Sequence, residues 1–82
     1  MSRYFFHLVD HSDVDVAVDI GGKGHELPDL AAAIALATDE MRELLADQAR
    51  NGYIDLGLRI EIADENGQKV ATVCRSDAVK LR

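Results

Sequence analysis

The chain has 82 residues, 48% of them apolar, which is enough for one small domain (1–82) with a thin core and argues against disorder. Its formal net charge is −6, and its basic residues are scattered from Arg3 to Arg82, which argues against nucleic-acid binding. A single cysteine, Cys74, rules out an internal disulfide or a cysteine-built zinc framework and points to a reducing cytoplasm. The start, "MSRYFFHLVD", is too short and too polar in its apolar stretch for a signal peptide, and no run is long enough to span a membrane.

In chain order, "RYFFHLV" (3–9) reads as a strand rich in aromatic and β-branched residues. Alternation puts Tyr4, Phe6 and Leu8 on one face and Phe5, His7 and Val9 on the other, so either a central position covered on both sides or a partner over one face is expected. "DHSD" is a turn signal. "VDVAVDI" (14–20) alternates as a half-buried strand with Asp15 and Asp19 outward, and "GGKG" (21–24) ends it as a connector.

"LPDLAAAIALATDEMRELLADQARNG" (27–52) reads as one long helix. Pro28 and Asp29 open it, and Asn51-Gly52 closes it. The predicted inner stripe is Leu30, Ile34, Ala37, Met41, Leu44, Leu45 and Gln48, with Leu36 off it.

"LGLRIEIADENGQKVATVC" (56–74) reads as a hairpin. Asn66-Gly67 suits a two-residue type I′ turn, which pairs Asp64 with Lys69, Ile62 with Ala71 and Ile60 with Val73. "RSDAVKLR" (75–82) is a short tail with room for one helical turn from Ser76 or Asp77. The predicted class is α+β in two layers: a small antiparallel four-stranded sheet, β-β-α-β-β, with one long helix on one face. Strand order stays open.

"RYFFHL", "ELPDLAAA", and "RIEIADENG" followed by "ATV" resemble, over nearly the whole chain, a family of short alphaproteobacterial proteins, rhizobial ones especially, that form a domain of unknown function. Two departures stand out. The segment between Asp10 and Glu26 is longer and more acidic than in the family, and Cys74-Arg75 replaces its more usual Pro-Phe. The resemblance implies the fold and no activity.

The segment "HLVDHSDVDVAVDI" holds metal-ligating atoms, yet His7 and His11 would share a face only on a helix. Asp13, Asp15 and Ala17 fail the calcium-loop pattern. "GGKG" lacks the phosphate-loop spacing and runs into acids. Cys74 has no neighbouring His, and Asp10-His11-Ser12 has no scaffold to orient a triad. Catalytic, cofactor and metal residues are therefore predicted as none, and the chain is read as no enzyme and no membrane protein.

A nucleic-acid-associated regulator, and less so a small enzyme or metal-binding protein, are the alternatives to a homo-oligomeric protein-interaction or regulatory module. One helix covers one sheet face, so the second face (Phe5, His7, Val9, Val70 and Thr72) is the candidate contact surface, for a homodimer or an unknown protein partner, unless the tail covers it.

Overall fold

The computed structural model describes residues 2–10, 15–18 and 24–79, with 15–18 described by backbone. Its elements are β1 (Ser2–Val9), β2 (Asp15–Val18), β3 (His25–Leu27), α1 (Leu30–Arg50), β4 (Arg59–Ala63), β5 (Lys69–Cys74) and α2 (Arg75–Ala78). The class is α+β: an antiparallel sheet in the order β2-β1-β4-β5, with α1 packed on one face.

The expected first strand is β1, and it is central. On one side it meets β4 through Phe5↔Ala63, Phe6↔Ile62, His7↔Glu61, Leu8↔Ile60 and Val9↔Arg59. Its other side is shared. β2 takes the second half through His7↔Val18, Leu8↔Ala17 and Val9↔Asp15, with a register shift between Leu8 and Val9. β3 takes the first half through Ser2↔Leu27, Arg3↔Glu26 and Tyr4↔His25.

β3 has no sequence signature of its own. Three residues are too few for alternation to show, and they become a strand because β1 offers unpaired backbone there. The Arg3 guanidinium bonds Glu26 Oε1 at 2.8 Å across this pair. The expected burial of Val14, Val16, Val18 and Ile20 lies outside the described side chains.

The core lies between sheet and helix. Phe6, Met41, Ile60, Ile62 and Val73 are its largest fully buried side chains. Burying each contributes roughly 1.5–3 kcal/mol. The helix stripe follows expectation at Ala37, Met41 and Leu45, which are buried, and at Leu30 and Leu44, which pack against the core, while Ala33 is buried in addition. Leu36 packs against the core, whereas Ile34 is 39% exposed. Two alanines at four-residue spacing let the backbone of α1 approach the sheet, and Met41 and Leu45 of the helix fill the core together with the large side chains of the strands.

Both helix ends follow the expected chemistry. Asp29 Oδ1 accepts from Ala32 N at 2.9 Å. At the other end Tyr53 N donates to Gln48 O and Gly52 N to Ala49 O, each at 3.1 Å, with Gly52 at φ 88°. This is the paired-bond C-terminal cap that a left-handed glycine permits.

The hairpin is half as expected. Ile62↔Ala71 and Ile60↔Val73 hold, but Ala63 pairs with Lys69, so a register shift follows Ile62. Val70 is the extra residue of a bulge. The loop is also longer than two residues. Gly67 N donates to Asp64 O at 3.0 Å, and Asp64 N to Gln68 O at 2.9 Å. Asp64 therefore faces Gln68, not Lys69, across a three-residue loop whose last residue, Gly67, has φ 79°. Asp64 decides this. Its Oδ1 accepts from Asn66 N at 2.9 Å and Gln68 N at 3.0 Å, stabilising the longer loop.

The tail turns toward the helix. α2 begins at Arg75, one residue before the expected start, and Asp77 Oδ2 accepts from Cys74 N at 2.8 Å. Ala78 enters the core, and Arg42 Nε donates to Ala78 O at 2.9 Å. Residues 75–79 thus pack on the same side of the sheet as α1.

Candidate functional site

The sheet face away from α1 is built in cross-strand rows. Phe5 lies between Gly24 and Ala63, because register continues the β1–β3 pairing to residue 24. Its ring lies against Gly24: a Cβ there would come within 2.9 Å of Phe5 Cε1. His7 stands opposite Glu61, with Thr72 on the far side of Glu61. Val9 stands opposite Arg59, with Cys74 beyond.

Charge occupies the middle of this face. Glu61 Oε2 meets Arg59 Nε at 3.3 Å and Lys69 Nζ at 3.7 Å. The Glu61 side chain is 25% exposed, so this pairing contributes about 0.5–1 kcal/mol and locks the stems over the sheet.

The five residues read as a contact surface separate. Phe5 and His7, both half-buried, and Thr72, exposed, do share the outer face. Val9 is 2% exposed and lies outside the core cluster, so it offers no open surface. Val70 leaves the group. As the bulge residue it no longer follows the alternation of Thr72, and it lines a cleft with Ser2, Tyr4, Leu30 and Asp64 on the helix side. The large exposed apolar residues of the described chain are Ile34, Tyr53, Ile54, Leu56, Val70 and Val79. None belongs to β1 or β4, so the outer face is mixed in character instead of a broad apolar patch.

The sequence reading passed over a second surface. An apolar groove of about 270 Å³ runs between the second half of α1, the 53–57 connection and α2. Leu45, Ile54, Leu56 and Val79 line it, with Arg42 and Arg75. Ile54 is 51% and Leu56 66% exposed, which is high for such residues. The connection holds its shape because Gln48 Oε1 accepts from Asp55 N at 2.9 Å and Asp55 Oδ1 accepts from Gly57 N at 3.0 Å. The available signal was "YIDL" (53–56), three large apolar residues placed after a helix stop with no strand to bury them.

Among the described residues, no group of three His, Cys, Asp or Glu side chains converges as a metal site. His11, Asp13 and Asp19 of the acidic segment lie outside the described residues. No described helix is long and apolar enough to cross a membrane.

A family described as a domain of unknown function, DUF6894, matches residues 3–74. The chain belongs to the DUF6894 family. Comparison with curated proteins and with solved structures gave no match. The DUF6894 span runs from β1 through the last residue of β5 and leaves α2 outside. The outer face and the Ile54–Leu56 wall of the groove therefore fall inside the family domain, while Arg75 and Val79 fall after it.

Proposed function

We propose that this DUF6894 protein is a non-catalytic interaction module that self-associates through the free side of its sheet. The observation that supports the reading is the edge strand β5, which pairs with β4 and has no second neighbour among the described strands. An unpaired strand edge is a template for another chain. Lys69 and the Val70 bulge guard its first half, whereas Ala71, Thr72, Val73 and Cys74 carry no charge.

Antiparallel pairing of two β5 strands about a two-fold axis continues one sheet through two copies, with the Phe5–His7–Thr72 faces on the same side. A thin core gains from such pairing. The free, exposed Cys74 fits a reducing cytoplasm.

Sedimentation of the full chain tests this. The wild type is expected as a dimer, and Thr72→Lys, a charge on the exposed edge, as a folded monomer. Phe5→Asp, checked for folding by circular dichroism, reports whether the outer face contributes. A wild type that stays monomeric at high micromolar concentration defeats the reading.

A further inference from the structure

We draw no further inference here: the strongest candidate, the apolar groove between the second half of α1, the 53–57 connection and α2, adjoins the β5 edge already used in the proposed function, and nothing in the structure shows what covers it.

Discussion

Phe5 lies across Gly24 so closely that residue 24 has no room for a side chain: a Cβ would stand 2.9 Å from Phe5 Cε1 and 3.0 Å from Tyr4 O. Gly24 also has φ 79°. An aromatic ring over the glycine that precedes β3 covers its backbone and ties β1 to the start of β3 on the outer face.

Gly24→Ala is therefore expected to destabilise the domain by about 2–4 kcal/mol. Left-handed backbone accounts for roughly 1–2 kcal/mol and steric displacement for the rest. Gly52 has φ 88° but open space around it, so Gly52→Ala should cost about 1–2 kcal/mol. Urea denaturation of both variants gives the comparison. Equal losses would mean that the Phe5 contact contributes nothing.

The hairpin loop depends on Asp64 more than on Asn66. Asp64→Ala removes the acceptor of two backbone N–H groups and is expected to cost about 1–2 kcal/mol. Asn66→Ala keeps its own N–H and should stay within about 0.5 kcal/mol. Thermal melts check the order, and a two-residue type I′ turn would reverse it.

The helix stripe can be tested by truncation. Met41 is fully buried, and Met41→Ala is expected to cost about 2–5 kcal/mol. Ile34 is 39% exposed, and Ile34→Ala should cost less than about 1 kcal/mol. Denaturant midpoints of the two variants decide between the observed stripe and one rotated toward Ile34.

The sequence by itself determined what is local. Asp29 and Asn51-Gly52 bound the helix, because a cap needs a side chain or a glycine within one turn of the end. Ile60↔Val73 and Ile62↔Ala71 were legible because two alternating strands joined by a short loop have few registers that bury both apolar rows. Tyr4, Phe6, Ile60 and Ile62 were legible as core for the same reason.

Tertiary structure decided what depends on distant partners. β3 exists because half of β1 was left unpaired. The place of β1 beside β4 is set by packing over α1, which no local pattern encodes. The same holds for the surfaces. The loop that Asp64 holds adds a residue to the turn, and the bulge that follows carries Val70 to the helix side. Ala78 draws the tail onto α1, and with it Arg75 and Val79 against Ile54 and Leu56. A groove walled by residues from separate elements forms only once those elements are packed together, so its chemistry belongs to the fold and not to any one stretch of chain.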